Sequence, residues 1–246
     1  MTKQKKVALI TGANRGIGLE TARQLGQNDI TVVVAARSLA AAQKTASLLQ
    51  SEGIETFPVQ LDVTNASDRK AAANAVSAKY GKLDILINNA GIAPDEGLTV
   101  PKTIETSEEE LEKVFGTNVF ATVAVTREFL PLLKKSDAGR IVNLSSILGS
   151  LTLHADPHSP IASSKFFAYD ASKTALNAFT VHLAAELRGT NIKVNSAHPG
   201  WVKTDMGSEK APMEIEDGAK TSVALALLGS DGPNGRFIHL GQELPW

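Results

Sequence analysis

Short apolar runs alternate with longer stretches along this chain. Seven runs are rich in Val, Ile or Leu and bounded by Gly, Asn, Asp or Pro: Val7–Thr11, Thr31–Ala36, Glu55–Gln60, Asp84–Asn88, Gly139–Ser145, Asn191–Ala197 and Gly235–Leu240. That composition and punctuation predict strands. VALI, TVVVAA and DILI are almost continuously apolar, as strands buried on both faces of a parallel sheet are. The stretches between them, Ile17–Gln27, Ala40–Glu52, Ser67–Tyr80, Ser107–Lys135, Ala168–Arg188 and Asp217–Leu228, read as helices. Ser107 with Glu110 has the spacing of a capping box, and Glu108 to Glu110 suit the positive end of a helix dipole better than a metal. Seven strands alternating with helices predict an α/β fold, a doubly wound parallel sheet with helices on both faces, in one domain spanning residues 1–246. No linker, repeat or low-complexity tract interrupts it.

Composition narrows the function classes. The chain has 246 residues, 43% of them hydrophobic, with 25 Lys plus Arg against 26 Asp plus Glu. A net charge near zero gives no reason to expect nucleic acid or an anionic membrane as a partner. There are no cysteines, which excludes disulfides, thiolate catalysis and cysteine metal sites, and suits the cytoplasm. The start is basic, but the apolar run Val7–Ile10 is too short for a signal peptide or a membrane span. The expectation is a soluble, unprocessed cytoplasmic protein.

The first strand runs into TGANRGIG, Thr11 to Gly18, with glycines at 12, 16 and 18. Glycines between a strand and a helix permit a tight turn and let backbone approach a pyrophosphate at the helix N-terminus. They also simply end strands, but the strand–turn–helix setting favours dinucleotide binding. A P-loop would need Gly-Lys-Ser/Thr where this loop reads Gly16-Ile17-Gly18. After the second strand, an acid would bond the adenosine ribose and favour NAD. The run here is Ala35-Ala36-Arg37-Ser38, with no acid. Arg37, with Arg15 in the glycine loop, suits a 2′-phosphate, although both could be solvated surface arginines. The balance favours NADP(H).

YDASK, Tyr169 to Lys173, places a phenol and an ammonium at i and i+4 of a helix, on one face. Such pairs occur by accident on many helix faces. They also allow a cation to lower the phenol pKa from roughly 10 towards a useful range.

Taken together, these motifs resemble the short-chain dehydrogenase/reductase family over nearly the whole length. TGxxxGxG is Thr11–Gly18, the adenine-contacting Asp is Asp62 in LDVT, and NNAG is Asn88–Gly91. The helix asparagine is Asn118, the catalytic serine falls in IVNLSS, Tyr-x-x-x-Lys is Tyr169 and Lys173, and Pro-Gly is Pro199-Gly200. GANRGIGLE, AAR, LDVT and NNAGIA are most similar to the carbonyl-reductase-like branch, which uses NADPH. The resemblance implies a Rossmann-type enzyme in which Asn118, Ser146, Tyr169 and Lys173 are catalytic. Ser146, second of the pair, takes the serine role; Ser145 is structural. It implies cofactor contacts from Gly12, Asn14, Arg15, Gly16, Ile17, Gly18, Arg37, Ser38, Asp62, Val63, Asn89, Gly91, Tyr169, Lys173, Pro199, Val202 and Thr204. Ser146, Tyr169 and Trp201 would contact a small carbonyl or alcohol substrate. Ser146 would polarise the carbonyl, Tyr169 would give the proton, and Lys173 would lower the phenol pKa and hold the nicotinamide ribose. Asn118 would hold a relay water, and Thr204 would meet the carboxamide. Oxoacyl thioester reductases and sugar or steroid dehydrogenases share these motifs, so the substrate stays open; a non-catalytic NADP-binding sensor on this fold typically lacks the tyrosine or the lysine, and both are present here.

One departure stands out. Tyr169 lies 23 positions after Ser146, about ten more than typical members. The extra segment, about 151–167, resembles the insertion of the carbonyl-reductase-like branch, which covers the usual dimer face and borders the substrate pocket. It predicts a monomer or homodimer rather than a tetramer. Leu148, Leu151, Leu153, Phe166, Trp201 and Met213 hint at a hydrophobic substrate, or at ordinary packing. His154 and His158 are four apart, but Pro157 argues against a helix that would bring them onto one metal. No metal is expected, and the segment reads as a solvated or substrate-facing loop. His182, His198 and His239 read as structural.

Overall fold

The computed structural model describes residues 5–94 and 102–246; residues 1–4, the basic start read above, and residues 95–101 lie outside it. Seven strands run parallel: β1 (Val7–Thr11), β2 (Thr31–Ala36), β3 (Thr56–Gln60), β4 (Ile85–Asn88), β5 (Arg140–Leu144), β6 (Lys193–Ala197) and β7 (Phe237–His239). The sheet order is β3-β2-β1-β4-β5-β6-β7-β8. The eighth strand, β8 (Gln242–Glu243), pairs antiparallel with β7 and adds an edge to the seven expected parallel strands. Two residues are too few to carry a periodic signal.

The apolar strands are buried on both faces, and alternate residues feed two cores. Leu9, Val33, Leu86, Ile141 and Val194 enter one; Ala8, Ile10, Val32, Val34, Ile85, Ile87 and Val142 enter the other. Helices cover both: α1 (Gly16–Gln27), α2 (Leu39–Ser51), α3 (Ala66–Tyr80), α4 (Glu108–Phe115), α5 (Thr122–Leu133), α6 (Leu151–Ala155), α7 (Phe167–Glu186) and α8 (Ile215–Ala226). The strand order reverses between β1 and β4. In a doubly wound sheet that places a crevice at the carboxyl ends of these strands.

The single helix expected over Ser107–Lys135 is α4 and α5 joined by a π-helical turn, Gly116–Ala121. Ser107 caps α4, its hydroxyl accepting from the Glu110 amide. The wide turn presents Asn118, buried to 1% exposure, towards the strand ends. Inside the inserted segment α6 stops at Ala155, before Pro157, so His154 and His158 do not share a helix face.

Candidate active site

The glycine loop follows β1 directly. Gly12 and Gly16 have φ of 64° and 53°, in the left-handed region that side chains disfavour. Gly18 admits no side chain at all: a Cβ there would stand 2.4 Å from the Gly12 carbonyl oxygen and 2.5 Å from Asn89 Nδ2. Asn89 fastens the loop by donating to the Thr11 carbonyl at 2.8 Å, while the Thr11 hydroxyl accepts from the Asn89 and Ala90 amides.

The ends of the neighbouring helices differ. Ser38, Asn65 and Ser107 cap α2, α3 and α4 with side-chain oxygens. Helix α1 has Arg15 at its N-cap, no side-chain cap and no acid in its first turn. Its first amides stay open to an external anion, so the loop fits a dinucleotide pyrophosphate.

Arg37 and Ser38 are exposed at the end of β2. The Asp62 carboxylate lies nearby, held below the ordinary carboxylate range mainly by the Thr64 hydroxyl and amide, with Arg37 and Arg69 adding to the effect. Val63 beside it is buried. Asn14 is exposed and Ile17 half-buried. Arg15, the second arginine expected at a 2′-phosphate, is paired with Asp205 at 2.6 Å. The acid comes from the loop after Thr204, which the one-dimensional spacing does not bring near. The Thr204 methyl sits 3.7 Å from the position of a Cβ on Gly16, so this loop closes onto the glycine turn.

Pro199 and Gly200 leave β6 with a φ of 92° at the glycine. Val202 is buried against Gly218 of α8, which leaves only its backbone for a cofactor. Trp201 is 54% exposed, its indole N–H donating to the Gly207 carbonyl. Of the apolar residues proposed as substrate lining, Leu151 and Trp201 are exposed, Phe166 is buried, and Met213 packs on Gly200.

Ser146, Tyr169, Lys173 and Asn118 converge. Ser146 follows β5, its hydroxyl accepting from the Leu148 amide at 3.2 Å. Tyr169 and Lys173 lie on the first turns of α7, both buried. Lys173 Nζ donates to the Leu144 carbonyl at 2.8 Å and stands 5.5 Å from the centre of the Tyr169 ring. Asn118 accepts from the Ile92 amide and donates to the Ile92 carbonyl and the Ser172 hydroxyl. Gly91 marks the meeting point: a Cβ there would lie 3.3 Å from Asn118 Oδ1 and 3.5 Å from Lys173 Nζ. The wide turn thus serves as a backbone-bonding kink and also brings Asn118 close to Lys173.

The electrostatics differ from the expectation for Tyr169. Burial pushes the phenol up to about 12, hydrogen bonding by Ser146 opposes the rise, and the Asp170 charge adds to it. Burial also pushes Lys173 down to about 8. Desolvation therefore outweighs the attraction that the i, i+4 spacing suggests.

The sequence reading gave no role to Asp170 and placed His154 only in a solvated or substrate-facing loop. Asp170, inside YDASK, is buried, and its pKa is pushed up to about 7 by burial. His154 is half-buried, 3.4 Å from the Asp170 carboxylate. No sequence signal marks either, because both depend on the inserted segment folding back over α7. His158 remains exposed. The His198 and His239 rings lie 4.7 Å apart, tilted by 42°; burial, with His239 next to it, pushes His198 down to about 3. Among the described residues no cluster of His, Cys, Asp and Glu could hold a metal ion.

A family model described as short chain dehydrogenase matches residues 6–215. Carbonyl reductase [NADPH] 1 of Mus musculus is 34% identical over 289 aligned positions, covering all of both chains. The solved structure of NADPH-bound carbonyl reductase from chicken fatty liver superposes with a TM-score of 0.85 at 29% identity, covering 99% of this chain and 95% of the other. Carbonyl reductase Sniffer of D. melanogaster gives a TM-score of 0.85 at 30% identity, covering 99% and 100%.

Proposed function

The chain belongs to the short-chain dehydrogenase family, and from that premise we propose that it is an NADP-dependent oxidoreductase reducing a hydrophobic ketone or aldehyde to an alcohol. The observation that carries the reading is the convergence of Ser146, Tyr169, Lys173 and Asn118 beside an uncapped glycine turn. The carbonyl reductases it resembles, with NADPH in their names, support the cofactor and the reaction class.

The loop amides of residues 12–18 receive the diphosphate, Asp62 and Val63 border the adenine, and Arg37 takes the 2′-phosphate. Arg15 reaches that phosphate only by leaving Asp205. When bound, NADPH supplies the hydride. Ser146 donates a hydrogen bond to the substrate oxygen and polarises the carbonyl. Tyr169, with its pKa near 12, is protonated at neutral pH and gives its proton as the oxygen gains charge. Lys173 holds the nicotinamide ribose; with a pKa near 8 it can also pass a proton onward. Asn118, fixed by Ile92 and Ser172, orients the water that links Lys173 to solvent. Trp201 and Leu151, exposed and apolar, favour a hydrophobic substrate.

The placement is cytoplasmic, supported by the absence of cysteine. No helix among the described residues is long and apolar enough to cross a membrane. A monomer or homodimer is the assembly, because the inserted segment occupies the face that other family members use.

The deciding experiment follows NADPH oxidation by absorbance across ketones, aldehydes, quinones and an acetoacetyl thioester, with NADH in parallel. Turnover of hydrophobic ketones or aldehydes with NADPH alone is the expected result. Activity confined to the thioester would move the protein to oxoacyl reduction. Silence across the panel with NADPH still bound would favour a sensor on this fold.

A further inference from the structure

The inserted segment is pinned to the catalytic residues through one imidazole. His154 Nε2 lies 2.9 Å from the Leu148 carbonyl and 3.4 Å from Asp170 Oδ2. Its Nδ1 is 3.0 Å from Lys165 Nζ, which also donates to the His154 carbonyl. An ammonium only donates, so Nδ1 accepts and the ring proton sits on Nε2. That proton faces two elements at once. Leu148 belongs to the turn whose amide donates to the Ser146 hydroxyl. Asp170 directly follows Tyr169, and its carboxylate accepts from the Phe166 amide at 2.9 Å, closing the start of α7. The other carboxylate oxygen, Oδ1, is buried with no partner. A carboxyl so enclosed and half-satisfied is retained against a stability cost.

We propose that His154 and Asp170 are positioning residues for the carbonyl reduction, locking the inserted segment onto the turn that carries Ser146 and the helix start that carries Tyr169. The clasp runs from the inserted segment through the two backbone groups of Leu148 to Ser146, and through Asp170 to Tyr169, so both groups that meet the substrate oxygen are set by one ring. The inserted segment therefore fixes the spacing of the reacting hydroxyls as well as bordering the pocket. The titratable groups set against Asp170 are His154, Lys165 and Tyr169. Its charge raises the Tyr169 pKa, so the clasp also tunes the proton donor.

The inference rests on the reductase reading, and the test separates the two. The full chain and its variants His154→Ala, His154→Gln and Asp170→Asn are assayed with the best carbonyl of the panel above from pH 5.5 to 9, with Tyr169→Phe alongside. A misplaced hydroxyl pair should cost about tenfold to a hundredfold in kcat for His154→Ala, with NADPH affinity kept. His154→Gln should restore most of it, because its amide can donate where Nε2 does. Asp170→Asn should remove an inflection in kcat near pH 7. A loss carried only by KM, or a Gln variant no better than Ala, would overturn the positioning role. A second readout needs no turnover. The chain has two tyrosines, so 13Cζ-tyrosine NMR with Tyr80→Phe isolates Tyr169. Its resonance should shift between pH 6 and 8 in the parent and stay fixed in Asp170→Asn; a parent resonance flat over that range overturns the coupling. If Tyr169→Phe keeps its activity while the parent Tyr169 resonance shifts between pH 6 and 8, the proton-donor assignment fails and the coupling of Asp170 to Tyr169 stands.

Discussion

An enclosed phenol keeps its proton, and at Tyr169 that is what a reductase needs. Tyr169→Phe deletes the proton while leaving the ring in place, so reduction should fall about 10²–10⁴-fold with the NADPH dissociation constant essentially unchanged. Steady-state rates together with fluorescence titration of NADPH check both halves. Arg37 belongs to the same scale. It lies close enough to the Asp62 carboxylate to stabilise it, yet a charge-assisted bond to a 2′-phosphate should dominate its role. Arg37→Ala should weaken NADPH about tenfold to a hundredfold and leave NADH nearly untouched. Equal losses for both cofactors would remove Arg37 from that site. The sequence singled out these residues as candidates through the motifs around them. Their electrostatics were not legible there. The neighbouring Lys173 argued for a lowered phenol pKa, whereas burial, a property of the assembled fold, raises it. Arg15 shows the same gap, since Asp205, its partner, lies 190 positions away.

Elements carry the site through their ends. The strand boundaries at Val7–Thr11 and Thr31–Ala36 agree with the sequence residue for residue, because apolar runs closed by Gly or Arg leave little ambiguity. The π-helical turn at Gly116–Ala121 was hidden, since nothing in GTNVFA departs from an ordinary helical pattern. Its cause is tertiary: Asn118 bonds both backbone groups of Ile92 and the Ser172 hydroxyl, and the helix widens around it. The β1–α1 turn gives a direct test. Gly18→Ala would press a methyl into the Gly12 carbonyl and the Asn89 amide. Overpacking of this kind costs about 1–3 kcal/mol. The expected outcome is a lowered Tm and a loss of NADPH binding larger than the stability change alone produces, because the displaced turn is the proposed pyrophosphate cradle. Thermal melts with and without NADPH measure both. An alanine variant that binds NADPH like the parent would show that the turn tolerates a side chain and that the cradle lies elsewhere.

For the whole molecule, alternation of strands and helices was enough to give the doubly wound sheet, while the short antiparallel β8 and the folded-back inserted segment depend on contacts far apart in sequence. Those distant contacts bury ionisable groups, and burial couples folding to pH. Asp170 has a folded pKa raised to about 7, above its unfolded value of about 3.9. Between those limits the folded state binds more protons than the unfolded one, so its contribution to stability is present at low pH and is lost as pH rises through 7. His198 runs the other way. Its folded pKa is depressed to about 3, below about 6.5 unfolded, so the unfolded state binds more protons and stability falls as pH drops from about 6.5. In the parent the two slopes oppose each other between about pH 4 and 6.5, which flattens the profile. Asp170→Asn removes one slope and leaves the other. Urea unfolding of the variant should therefore lose stability on acidification more steeply than the parent, by about 1.4 kcal/mol per pH unit in that window. Parallel curves for parent and variant would mean that Asp170 titrates alike in both states, and that the inserted segment does not enclose it in solution.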